Sequence, residues 1–271
     1  MRSANGLVLS LLNGEETQAC SVEDRALHYG DGLFETMLMQ SGKIKYWPLH
    51  LQRLLAGCQQ LKINPPSSDE LNKDLSKLAN QLGKKDFIVK LIVSRGIGGR
   101  GLKVPQSLIA TRLFLAYSYQ DDPLKPAKQL KVCQTRLLEN STLGGIKHLN
   151  RLPYLLASEE LEGFDEGIML NSQSEVVECI THNIFGVKDG QLFTPMITNC
   201  GVKGIMRQQV IERAKRQNMK LSESAFNIKR WKEMDECFIT NAVIGLQSVS
   251  RIDDHLFEQN HVIQQLNQDK I

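Results

Sequence analysis

A short apolar run opens the pattern of the chain, and a helical period follows it. Residues 7–12 read as a strand, and Asn13-Gly14 behind them is a hairpin turn signal. A second hairpin is expected from 33–39 to 43–47 through Ser41-Gly42. Pro48 sits where the first turn of a helix tolerates it, and Leu51, Leu54, Leu55, Cys58 and Leu61 follow at helical spacing. Ser67 with Glu70 predicts a capping box for a second helix striped by Leu71, Leu75, Leu78 and Leu82, with Gly83 as its stop. Residues 87–94 and 108–117 are β-rich. After the polar, proline-bearing stretch 119–129 come a strand at 129–135, a helix from about 151 to 162, and strands from 167 to 194 around an Asp189-Gly190 turn. A helix near 205–217, strands at 236–241 and 247–252, and a closing helix near 257–267 complete the pattern. Strands and helices mixed in this order predict an α+β chain of two domains, 1–118 and 130–271, joined by a linker at 119–129.

Composition narrows the function classes. The 271 residues carry a net charge of +3, too weakly basic to argue for nucleic acid. No apolar run approaches the length that spans a bilayer, and the first ten residues are too short and polar for a signal peptide. The cytoplasm is therefore the expected location. The six cysteines form no C-x-x-C pair and no cluster with zinc-ligand spacing, so they are expected as free thiols and no metal site is predicted.

One motif misleads. Gly96, Gly98 and Gly101 satisfy G-x-G-x-x-G, but Lys103-Val104-Pro105 follows where a dinucleotide site needs a helix. The stretch reads instead as a glycine-rich connection between strands. It carries Arg95 and Arg100, whose guanidinium groups suit carboxylates.

The informative stretch is 178–207, ECITHNIFGVKDGQLFTPMITNCGVKGIMR. With GGIKHLNRL at 144–152, DRALHYGDGLFETM at 24–37 and HLQRL at 50–54, it resembles the class IV aminotransferase family, the fold-type IV pyridoxal-phosphate enzymes. That resemblance implies an α/β fold like that of D-amino-acid aminotransferases. It implies two domains with the cofactor in the cleft between them, and a homodimer. It also implies that Lys147 forms the Schiff base with the cofactor aldehyde and acts as general base, and that Glu178 keeps the pyridine nitrogen protonated. The phosphate would be met by Gly204, Ile205 and Met206 at a helix start, by Arg53 and by Asn241. Asn183 would brace Glu178. His28 and Tyr29 either shape a local turn or reach the site, and His148 and His182 are assigned no role.

Within the family, GGIKHLNRL, SRGIGGRG and VKGIMRQ most resemble the lyase branch, and the tyrosine that branched-chain aminotransferases place five residues after the lysine is here Leu152. The implied reaction splits 4-amino-4-deoxychorismate into 4-aminobenzoate and pyruvate, a step toward folate. Arg95, Arg100 and Arg151 are then the candidates for the two substrate carboxylates. The alternative is a branched-chain or D-amino-acid aminotransferase of the same fold.

Overall fold

The computed structural model describes residues 6–122, 124–258 and 261–268. They divide into two compact units: Met1–Asp121 with Ile146–Asn150, and Asp122–Gly145 with Arg151–Ile271. The chain changes units at Asp121, inside the stretch expected as a linker. It also returns to the first unit for residues 146–150, an excursion that a single boundary in sequence does not contain.

The first unit holds β1 (Leu7–Leu12), β2 (Glu15–Glu16), α1 (Arg25–Tyr29), β3 (Gly32–Gln40), β4 (Lys43–Ile44), α2 (Trp47–Leu61), α3 (Ser68–Leu82), β5 (Phe87–Ser94) and β6 (Thr111–Ser118). Its strands form one antiparallel sheet in the order β2-β1-β6-β5-β3-β4. On β5 the alternation is direct: Phe87, Val89, Leu91 and Val93 are buried, while the residues between them are half-buried. Helix α2 packs on β3 and α3 on β1. The Ser67–Glu70 capping box is formed, and Gly83 ends α3 with φ +72°. Between β5 and β6 no helix follows the glycines. Gly96 has φ +108°, and a Cβ there would lie 1.9 Å from the Ile109 carbonyl oxygen, so loop geometry rather than a nucleotide demands it. Residues 146–150 run along the β3 edge not taken by β5. Leu33 bridges His148, Phe34 N–H donates to the Lys147 carbonyl at 2.9 Å, and Leu149 N–H donates to that of Gly32 at 3.0 Å.

The second unit holds β7 (Lys128–Arg136), α4 (Leu152–Ser158), β8 (Glu166–Leu170), β9 (Val176–Cys179), β10 (Asn183–Lys188), β11 (Gln191–Thr194), α5 (Ile205–Arg216), β12 (Leu221–Glu223), α6 (Ile228–Lys232), β13 (Glu236–Asn241), β14 (Gly245–Ile252), β15 (His255–Leu256) and α7 (His261–Gln268). The sheet runs β12-β11-β10-β13-β14-β7-β8-β9, with β15 beside β14. The β7 pairings with β14 and β8 are parallel, as is β11 with β12. Strands β8, β10 and β13 are buried on both faces, which explains their continuous apolar runs. Their core includes Leu130, Ile168, Ile184, Trp231 and Ile239.

Helix α4 is shorter than the 151–162 expected. Glu160 is drawn to β7: its carboxylate accepts from Gln134 and Thr135 N–H at 2.5 and 2.9 Å, and Lys131 Nζ donates to its carbonyl. Of these groups only the Glu160 carbonyl is one that a longer helix would bond internally, and Lys131 takes it instead. Helix α1, where the sequence pattern predicted no helix, has Asp24 as its cap, accepting from Ala26 N–H at 2.8 Å.

Candidate active site

In the first unit, Lys147 reaches its position through the β3 edge bonds. Its side chain is half-buried, and Nζ stands 4.5 Å from the centroid of the Phe34 ring. Lys90 Nζ stands 4.9 Å from the same ring, and burial lowers the Lys90 pKa. The pairing of Lys90 with Lys147 on one aromatic ring was not legible in sequence spacing.

Arg53 projects from α2 onto Glu35 of β3. Its Nε donates to Glu35 Oε1 at 2.8 Å and a terminal nitrogen donates to Oε2. His50, one turn earlier on α2, meets Glu35 Oε2 through Nδ1 at 2.6 Å. Glu35 and His50 are fully buried. Burial pushes the Glu35 pKa up, but the Arg53 charge and the bonds from His50 and Arg53 outweigh it and hold the carboxyl at about 2. Glu35 thereby fixes one edge of the Arg53 guanidinium.

The loop arginines part company. Arg95 forks onto Asp31 (Nε to Oδ2 at 2.7 Å and a terminal nitrogen to Oδ1 at 3.0 Å) and also donates to the Leu61 and Lys62 carbonyls. Its guanidinium staples the loop to α2 and Asp31. Arg25, unnoticed in the sequence, shares Asp31 at 2.9 Å and reaches the carbonyls of Gly98 and Gly101. The Tyr29 hydroxyl accepts from Gly101 N–H at 2.8 Å and His28 Nε2 meets the Val22 carbonyl, so both shape local structure. Arg100 is exposed.

In the second unit Glu178 is held by donors on both carboxylate oxygens. It lies on β9 opposite Met169 of β8 and is buried. A buried carboxylate is tolerable only when donors replace its water. Tyr154 donates to Oε1 at 2.6 Å; Val202 N–H and Asn183 Nδ2 donate to Oε2 at 3.0 and 3.3 Å. Asn183 Nδ2 also donates to the Val202 carbonyl at 2.9 Å, so the expected bracing is present. These bonds carry straight into the start of α5. A Cβ on Gly204, its N-cap, would sit 1.9 Å from Asn183 Oδ1. No side chain caps α5, and Ile205 and Met206 are buried in its first turn, so the helix begins with backbone N–H groups suited to an anion. Asn241 ends β13. Its Oδ1 accepts from Val243 and Ile244 N–H at 3.0 Å each, and Nδ2 donates to the Thr181 carbonyl at 3.4 Å. The side chain builds the β13–β14 turn. Arg151 lies over the Tyr154 ring, with its guanidinium carbon 3.5 Å from the centroid. His182 pairs through Nδ1 with the buried Glu166 at 2.5 Å.

A family profile described as amino-transferase class IV matches residues 32–252. The chain belongs to the class IV aminotransferase family. A protein of Vibrio harveyi named aminodeoxychorismate lyase is 32% identical over 250 residues, covering 89% of this chain and 90% of its own. The crystal structure of 4-amino-4-deoxychorismate lyase from Pseudomonas aeruginosa matches with a TM-score of 0.88 at 35% identity, covering 97% of this chain and 99% of that one. A T.th. branched-chain amino acid aminotransferase, complexed with N-(5'-phosphopyridoxyl)-L-glutamate, matches with a TM-score of 0.86 at 22% identity, covering 97% and 92%. At that identity the last likeness speaks for the fold.

The residues present fit the family's pyridoxal phosphate chemically. Lys147 is an amine for the aldehyde, the uncapped α5 start suits the phosphate dianion, and Arg53 is a cation held in one orientation. Tyr154, Asn183 and Val202 stabilise Glu178 as an anion but cancel none of its charge, so a protonated ring nitrogen suits it. Sequence reasoning missed Tyr154, Glu35 and His50. For Tyr154 one signal existed, the i, i+3 spacing of Arg151 and an aromatic at the start of the predicted helix.

Proposed function

We propose that this chain is a pyridoxal-phosphate lyase that converts 4-amino-4-deoxychorismate to 4-aminobenzoate and pyruvate. The observation that carries this reading is its likeness, over nearly the whole chain, to the Vibrio harveyi and Pseudomonas aeruginosa proteins that bear that activity in their names. The family and the donor set around Glu178 support the cofactor.

When bound, the cofactor supplies an electrophilic aldehyde and a ring that draws electrons from the substrate's amine-bearing carbon. Lys147 Nζ would hold the cofactor through that aldehyde, and the same amine would serve as the base for the proton on that carbon. Glu178 would favour a protonated ring nitrogen. The α5 N-terminus and Arg53 are the groups that would suit the phosphate, and Glu35, which also meets His50, keeps Arg53 in place. Loss of the enolpyruvyl oxygen makes the substrate ring aromatic, and the proton held by Lys147 returns to carbon as pyruvate forms. All substrate atoms are recovered in the two products. Arg100, exposed on the 95–101 loop, is the proposed partner of a substrate carboxylate. The proposed setting is a cytoplasmic homodimer. Among the described residues no helix is long and apolar enough to cross a membrane.

The test supplies the pure protein with pyridoxal phosphate and freshly made 4-amino-4-deoxychorismate. Equal release of 4-aminobenzoate and pyruvate, abolished by Lys147→Ala, is the expected result. Amino-group exchange between an amino acid and a keto acid without either product would place the chain with the transferases instead.

A further inference from the structure

Tyr154 stands seven residues beyond Lys147, at the third position of α4. Its ring is buried with Cys133, Leu137, Ala157, Met169 and Val177. Packing alone would be served as well by phenylalanine. The hydroxyl, however, donates to Glu178 Oε1 at 2.6 Å, a shorter bond than those Val202 and Asn183 make to Oε2. Burial and the neighbouring Glu178 charge both disfavour the tyrosinate and push the Tyr154 pKa up, so the group stays a donor. The Arg151 guanidinium on the ring works in the other direction, drawing electron density from the phenol and making its proton a stronger donor.

We propose that Tyr154, polarised by Arg151, is a positioning residue that keeps Glu178 ionised, so that the shared proton stays on the cofactor's ring nitrogen. The inference rests on the cofactor reading above. Its physical basis is that a charge-assisted hydrogen bond stabilises a carboxylate and lowers its proton affinity. Without the phenol, Glu178 is more basic. The proton then moves from the ring nitrogen toward the carboxylate, and the ring draws electrons less strongly. Arg151 acts in this arrangement through Tyr154 rather than on the substrate.

The experiment loads the full chain with pyridoxal phosphate labelled at the ring nitrogen and reads that nitrogen's protonation by NMR, together with kcat and KM. Tyr154→Phe keeps the ring and its packing and removes only the hydroxyl. The expected result is a nitrogen signal shifted toward the unprotonated form, with kcat lowered about tenfold, the lower end of what a charge-assisted bond controls, and KM nearly unchanged. Arg151→Gln, which leaves the hydroxyl in place, should shift the nitrogen signal the same way but less, and decides the matter if Tyr154→Phe fails to fold. A wild-type nitrogen signal in both variants, while Glu178→Gln loses protonation, overturns the role of Tyr154 and leaves the cofactor reading standing. An unchanged signal in Glu178→Gln as well overturns both.

Discussion

Individual side chains separate what composition and spacing can announce from what only folding reveals. Lys147 and Glu178 stood out because both sit inside recognisable runs. If Lys147 is the base, Lys147→Ala should lower turnover roughly a thousandfold and abolish the visible absorption of covalently held cofactor. Activity near wild type would end that assignment. The partners of these residues were not legible, since Glu35 and Arg53 are eighteen positions apart and meet only when α2 lies on β3. Their pairing makes a pH prediction. The Glu35 carboxyl is depressed from its ordinary 4.5 to about 2 by Arg53 and His50 acting against burial. A depressed acid contributes stability above its unfolded pKa and loses it as pH falls through its folded one, here between about 4.5 and about 2. The contribution is on the order of 3 kcal/mol. Glu35→Gln should therefore be less stable than wild type at neutral pH, and denaturant melts should show the gap closing as the pH nears the bottom of that window. A gap that stays constant with pH would mean Glu35 contributes by shape alone.

At the level of elements, local chemistry decided what the sequence could announce. The capped helix α3 and the hairpins at Asn13-Gly14 and Ser41-Gly42 lie where their turn residues place them, because each is determined by neighbours in the chain. Ser67→Ala should cost about 1 kcal/mol in denaturant melts and leave turnover unchanged, as the cap serves α3 alone. Where an element's limit is set by a distant partner, the sequence pattern ran past it. Helix α4 ends early because Glu160 bonds to β7, and the parallel joining of β7 to β14 has no local signature at all. Gly204 lies at such a junction. Its φ of −65° suits any residue, so the demand for glycine comes from Asn183 alone. Gly204→Ala should push Asn183 off Glu178 and weaken pyridoxal-phosphate binding by at least tenfold in equilibrium titrations, about 1.4 kcal/mol. Unaltered affinity would show that the start of α5 and the Glu178 network are independent.

For the molecule as a whole, the open question is association, and α4 supplies the argument. An amphipathic helix on a monomer's surface turns its apolar stripe inward and its polar face to water. Here Tyr154 and Ala157 already take the inward positions, yet Leu152, Leu155 and Leu156 remain 64%, 62% and 54% exposed. Three leucines on two turns of one helix, each more than half in water, form a grouped apolar surface rather than scattered exposure. Burying them would contribute roughly 1 kcal/mol apiece, useful at an interface and wasted on a monomer. The homodimer proposed above gives that surface a partner. Light scattering at micromolar concentration should then give twice the 30.6 kDa chain mass. Leu155→Glu with Leu156→Glu should shift the mass toward the single chain, because two carboxylates would have to lose their water in any contact through α4. A wild-type chain that stays at 30.6 kDa under these conditions would rule out the dimer. A dimer unmoved by the double substitution would keep the assembly and exclude α4 from its interface.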